Sequence, residues 1–149
     1  MTVWKPSATV AAVIERDGKL LFVQERIDGR LVLNQPAGHL EPGESLAAAC
    51  SREVLEETAH RFTPTALVGI YRWRYAAKDV TFLRFCFSGT VNEVEDRALD
   101  KEIVALEWLD PCELKRRKSE HRSPLVQKCV DDFLAGKRYP LDLFSAEFS

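Results

Sequence analysis

The chain has 149 residues, of which 46% are apolar and 30% charged. This is the composition of one ordinary domain, large enough to bury a core without disulfides or a structural metal. A net charge of −2 excludes a global field that would gather a nucleic-acid polymer, so any phosphate must be held locally or through cations. No run approaches the ~18 apolar residues of a membrane span, and MTVWKPS at the start does not read as a leader. A cytoplasmic protein with no membrane partner is expected.

In chain order, residues 8–15 (ATVAAVIE) are β-rich and mostly apolar, the pattern of a strand covered on both faces. Asp17-Gly18 is a hairpin signal, and residues 19–25 read as the returning strand. Asp28-Gly29 marks a second turn, with a short strand over Leu31–Leu33 after it. Residues 34–44, which hold Pro36, Gly38, Pro42 and Gly43, read as a loop. A helix is predicted from Glu44-Ser45 to about Ala59, with Ser45 as N-cap and Leu46, Cys50 and Val54 as its apolar stripe. Two strands, Thr65–Tyr75 and Val80–Thr90, flank a hairpin at Ala76–Asp79, and another strand covers Ile103–Leu109. Asp110-Pro111 opens a short helix. Ser123-Pro124 opens another, which runs to about Ala135 and is stopped by Gly136. The aromatic tail from Lys137 is expected to pack back on the domain. The sum is a single α/β domain over residues 1–149, a mixed β-sheet sandwiched between helices (α/β/α). Cys50, Cys86, Cys112 and Cys129 form no C-x-x-C pair, so buried free thiols are expected rather than zinc ligands or disulfides.

Chemistry concentrates between Gly38 and Glu57, GHLEPGESLAAACSREVLEE. Glu53, Glu56 and Glu57 are spaced i, i+3, i+4 and so share one helix face. Like charges packed this way repel, whereas a hard divalent cation turns the repulsion into ligation by oxygen. An isolated E-x-x-E-E is more often a solvated acidic face, and the surrounding residues decide against that here.

The segment resembles the signature of the Nudix hydrolase family, G-x5-E-x7-R-E-U-x-E-E-x-G-U with U aliphatic. Gly38, Glu44, Arg52-Glu53-Val54 and Glu56-Glu57 fall on its fixed positions, while Ala59 and His60 stand where the pattern closes with Gly and an aliphatic residue. A left-handed conformation at Ala59 costs about 1 kcal/mol relative to Gly, so the helix end is expected to differ. The resemblance implies Mg2+ as cofactor, with Mn2+ as a substitute. It implies Glu53, Glu56, Glu57 and the Gly38 carbonyl as metal ligands, and Arg52 with Glu44 as the pair that holds the helix to the loop. Glu53, Glu57, Arg52 and Glu102, the last just before the final strand, are the candidate catalytic residues; Glu53 and Glu102 compete for the role of general base. Arg84 on the apolar strand FLRFCF is a candidate for phosphate contact or for a salt bridge to a metal-site glutamate. Arg122, Gln35 and Trp73 are further candidates for substrate contact, Gln35 equally for tying down its loop and Trp73 for core packing.

Asn34–Glu41, Phe82–Phe85, Arg122–Val126 and Arg138–Leu141 are similar to one branch of the family. Those phosphatases act on thiamine pyrophosphate, its hydroxymethylpyrimidine pyrophosphate precursor, and nucleoside di- and triphosphates. The implied partner is a small phosphoanhydride, and the expected assembly a monomer or homodimer. Two alternatives are a nucleotide-sanitising or dinucleoside-polyphosphate pyrophosphatase and a non-catalytic metabolite-binding module. The complete set of box carboxylates speaks against the second.

Overall fold

The computed structural model describes residues 1–145. Strands β1 (Ser7–Arg16) and β2 (Lys19–Ile27) form a hairpin across Asp17-Gly18, β3 (Arg30–Asn34) follows Asp28-Gly29, and β4 (Ala37–His39) is short. At both turns the two central residues have positive φ (52° and 78°, then 50° and 76°), the mirror-image geometry that matches strand twist. Helix α1 spans Leu46–Thr58; the long strands β5 (His60–Tyr75) and β6 (Val80–Val94) follow, then β7 (Ile103–Leu109), α2 (Pro111–Arg116) and α3 (Leu125–Leu134). β5 and β6 run further than the sequence suggests, β5 starting at His60. Bulges at Phe62, Ala66 and Gly69 let β5 keep pairing through residues that break strict alternation.

β1 is the centre of the fold. It pairs in parallel with β6, antiparallel with β4, and through its last residues with β2. β5 lies outside β6, and β2 carries β3 and β7 on its two edges. Both faces of β1 are covered. Val10, Ala12 and Ile14 pack with Ala49, Cys50 and Val54 of α1, while Ala11 and Val13 pack with Leu114 of α2 and Val126, Cys129 and Val130 of α3. The doubly covered strand and the α/β/α layering follow directly from this alternation.

The helix ends are built as their sequences suggest. Ser45 Oγ accepts from the Ala48 amide at 3.1 Å, and Asp110 and Glu113 form a reciprocal capping box. The Ser123 hydroxyl accepts from the Leu125 amide at 3.2 Å. Ala59 takes the left-handed conformation despite its Cβ (φ 59°, ψ 10°), with its amide bonded to Leu55 O. The closing turn therefore keeps the shape that glycine would give it, under local strain. Of the four cysteines, all free thiols, Cys112 is exposed, because the short helix α2 turns it outward; the other three are buried. In the tail Phe144 packs against Phe85 and Phe87; the last aromatic residue, Phe148, lies outside the described residues. Among the described residues no helix is long and apolar enough to cross a membrane.

Candidate active site

The Glu-rich face of α1 looks onto β4, and the contact there is intimate. A Cβ on Gly38 would lie 2.1 Å from the Glu53 carboxyl carbon, so glycine alone lets that carboxylate sit against the backbone. Glu57, only 6% exposed, accepts from the Ala37 amide at 3.0 Å. Glu56 is half-buried; its oxygens and those of Glu53 and Asp100 come within 4.8 Å of one another. Asp100 is placed there by its own amide, which donates to Glu56 O at 3.0 Å. The same loop carries Glu102, the candidate expected from the sequence. Glu102 lines the same cavity as Glu53 and Glu57, with its carbonyl bonded to the Arg26 amide. An all-carboxylate group of this kind suits a hard divalent cation.

Arg52 organises the cluster. Its Nε and Nη2 form a fork on Glu44 (2.9 and 2.7 Å), Nη1 reaches Glu53 (2.9 Å), and Nη2 also donates to the His39 carbonyl (2.9 Å). Glu44 in turn accepts from the Glu41 amide at 2.7 Å. Helix and loop are thus tied together by one planar guanidinium, a task that a lysine's single ammonium could not perform.

The carboxylates differ in their affinity for protons. Hydrogen bonds from Arg52 hold Glu44 below the usual carboxylate range. Burial pushes Glu53 up despite Arg52. Burial, followed by repulsion from Glu25, pushes Glu57 up to about 9.

Beside the carboxylates opens a cavity of ≈ 400 Å³, lined by Gly38, Glu53 and Glu57 from β4 and α1, by Trp73, Phe82 and Arg84 from β5 and β6, and by Arg122. Sheet register sets its dimensions. Arg84 on β6 is opposite Thr9 on β1, which is opposite His39 on β4, a separation of two strand spacings, about 10 Å. Phe82 is two residues from Arg84 on the same strand, about 7 Å away, and stacks with its cross-strand partner Trp73 (ring centroids 5.8 Å, 14° between planes).

Arg84 is 7% exposed, and its near partners are neutral. Nη1 donates to Gln35 Oε1 (3.0 Å) and Nη2 to Asn34 Oδ1 (3.2 Å), and among the described residues no carboxylate lies within salt-bridge distance. Of its two expected uses, the salt bridge to a box glutamate is absent. Gln35, 1% exposed, turns away from the cavity, with Nε2 bonded to Val126 O (2.8 Å) and Oε1 to Arg84. It ties its loop to α3, the structural one of its two expected uses. Arg122 lines the cavity and pairs with Glu25 at 2.9 Å. Glu25, Thr9 and Asp100 are no candidates from the sequence, and Asn34 enters there only as part of the Asn34–Glu41 motif. Only Glu25, a charge two positions past the buried Val23, carried a signal.

Residues 4–129 match the model of the NUDIX domain. The chain belongs to the Nudix family of hydrolases. It is 37% identical to Phosphatase NudJ of Escherichia coli strain K12 over 141 residues, covering 94% of this chain and 91% of that protein. A NUDIX hydrolase structure from Nitrosomonas europaea superposes with a TM-score of 0.94 at 54% identity, covering 96% of this chain and 98% of the other. The crystal structure of a MutT NUDIX hydrolase from Burkholderia pseudomallei shares the fold at 19% identity, with a TM-score of 0.74 over 87% of this chain and 98% of that one. The Nudix box thus occupies the α1–β4 junction, and its carboxylates border the cavity.

Proposed function

We propose that this Nudix hydrolase depends on Mg2+, replaceable by Mn2+, and cleaves a phosphoanhydride bond in small organic diphosphates and triphosphates. Thiamine pyrophosphate, hydroxymethylpyrimidine pyrophosphate and nucleoside di- and triphosphates are the substrates its likeness to NudJ suggests. The observation that carries this reading is that one cavity joins the box carboxylates to a buried guanidinium, Arg84, that makes no salt bridge among the described residues. A buried cation with no carboxylate in direct contact is costly, and a phosphate group would supply a contacting anion.

Glu53, Glu56, Glu57 and the Gly38 carbonyl hold the cation in this reading, with Asp100 as an added carboxylate. The fit rests on the Gly38 cradle and the all-oxygen donor set. When bound, the ion neutralises phosphate oxygens and makes water a stronger nucleophile near neutral pH. Arg52 and Glu44 keep the glutamates in register. Glu53 or Glu102 takes the proton from the attacking water. Arg84 and Arg122 hold the phosphate that is not attacked, and Gln35 and Asn34 fix Arg84 from behind. Trp73, stacked with Phe82, offers a planar surface to a heterocycle.

The deciding experiment measures phosphate released from thiamine pyrophosphate and GTP with Mg2+ and with EDTA. Release that requires the cation is expected. No release from either compound, or release indifferent to EDTA, overturns the proposal. Cleavage confined to dinucleoside polyphosphates would move the substrate and keep the family.

A further inference from the structure

Glu25 lies in the cavity wall outside the box and its helix. It is 4% exposed, on β2 at the position where pairing with β7 slips by a bulge between Gln24 and Glu25. Bulges re-aim side chains and are frequent beside active sites. A carboxylate buried in a cavity meant for an anion opposes binding unless something nearby uses its charge. Its Oε2 accepts from Arg122 Nη1 at 2.9 Å. Burial pushes its carboxyl above the usual range, while Arg122 first, and then Arg84, pull it back.

Arg122 is held at two points. Its amide donates to Leu33 O at 2.9 Å, and its side chain, 41% exposed, is gripped by Glu25. Among the described residues only Nη1 of that guanidinium makes a hydrogen bond, so Nε and Nη2 are left for a ligand. Without Glu25 the long side chain at the cavity wall samples many rotamers, and ordering it on binding costs affinity.

We infer that Glu25 is a positioning residue for phosphate recognition, fixing Arg122 so that its unused nitrogens meet the phosphate that is not attacked, alongside Arg84. This rests on the proposed hydrolytic reading for which phosphate is attacked, but the anion-binding role can be measured without turnover.

The test is a double-mutant cycle with Glu25→Gln, Arg122→Ala and the pair, read in two ways. One is KM and kcat with thiamine pyrophosphate; the other is the Kd of imidodiphosphate, a diphosphate resistant to hydrolysis, by calorimetry with Mg2+. Glu25→Gln is expected to raise KM and Kd about fivefold with kcat within about twofold. Arg122→Ala is expected to do the same, and the double variant no more than Arg122→Ala alone. Glu25→Asp, which keeps the charge but shortens the reach, should fall between wild type and Glu25→Gln. If Glu25→Gln tightens imidodiphosphate binding, or if its effect persists in full when Arg122 is Ala, Glu25 acts by its own charge and the inference is overturned. Should Glu25→Gln fail to fold, Arg122→Lys carries the test, since it keeps the charge but loses the fork; unchanged Kd there overturns the inference as well. Absence of hydrolysis by the wild type, with imidodiphosphate still bound and the cycle coupled, would sink the hydrolytic reading and leave this one standing.

Discussion

The two ends of the cavity were assembled in different ways. The carboxylate end comes from one continuous stretch, Gly38 to Glu57, in which helix periodicity puts Glu53, Glu56 and Glu57 on one face and Arg52 fastens that face to the loop before it. The cationic end is gathered from Glu25, Asn34, Arg84 and Arg122, which sit on three strands and a loop and meet through long-range side-chain bonds. The first end is encoded locally and tolerates little change in spacing. The second depends on the register of the whole sheet.

The largest effect expected is at the local end. Glu57→Gln should lower turnover at least about a hundredfold with the fold intact, because the amide keeps a bond to Ala37 N but loses the charge. Near-normal turnover at saturating Mg2+ would break the assignment of this end. Gly38→Ala should follow, with turnover reduced at least about tenfold and weaker Mg2+ binding by calorimetry, since the new methyl occupies the seat of the Glu53 carboxylate. Unaltered metal affinity would mean that the cradle is incidental.

At the distant end, Arg84→Gln should raise KM for thiamine pyrophosphate about tenfold and change kcat less, the mark of binding shared by ground and transition states. A fall in kcat alone would place Arg84 nearer the reacting bond than the register suggests.

Smaller effects concern stability. Burial favours the neutral form of Glu57, so in EDTA the folded chain holds a proton that the unfolded chain releases above its ordinary value near 4.5. Unfolding therefore becomes easier as pH rises from about 4.5 toward 9, where the folded group finally ionises. Thermal melts in EDTA should show Tm falling across this range, and Mg2+ should flatten the fall by stabilising the ionised carboxylate. A flat profile in EDTA would mean that Glu57 is ionised without a cation. The smallest effect is Ala59→Gly, expected to stabilise by up to about 1 kcal/mol by relieving the left-handed Cβ, with turnover unchanged. Denaturant melts would detect it, and a loss of stability would mean that Ala59, buried at 5%, packs better than it is strained.

The box, the N-caps at Ser45 and Asp110, both D-G turns and the doubly covered β1 were legible because each depends on neighbours within a few residues. Asp100 carries no signal that separates it from Glu102, because two acids two residues apart in a loop look alike until backbone bonding aims one of them; here the Asp100 amide bonds to Glu56 O. Gln35 was weighed equally for substrate and loop, and only its bonds to Val126 and Arg84 separate the two.

By itself the sequence determined the helix that carries the glutamates, the residue that fastens it, and the layering of the domain, since 3.6-residue and two-residue periods are properties of the local chain. Only the tertiary structure decided that Arg84 is buried among neutral partners, that Glu25 grips Arg122, and that both arginines share a cavity with the box. Those contacts join residues 49 and 97 positions apart. Their existence depends on which strands pair and in which register, and no short-range rule fixes that.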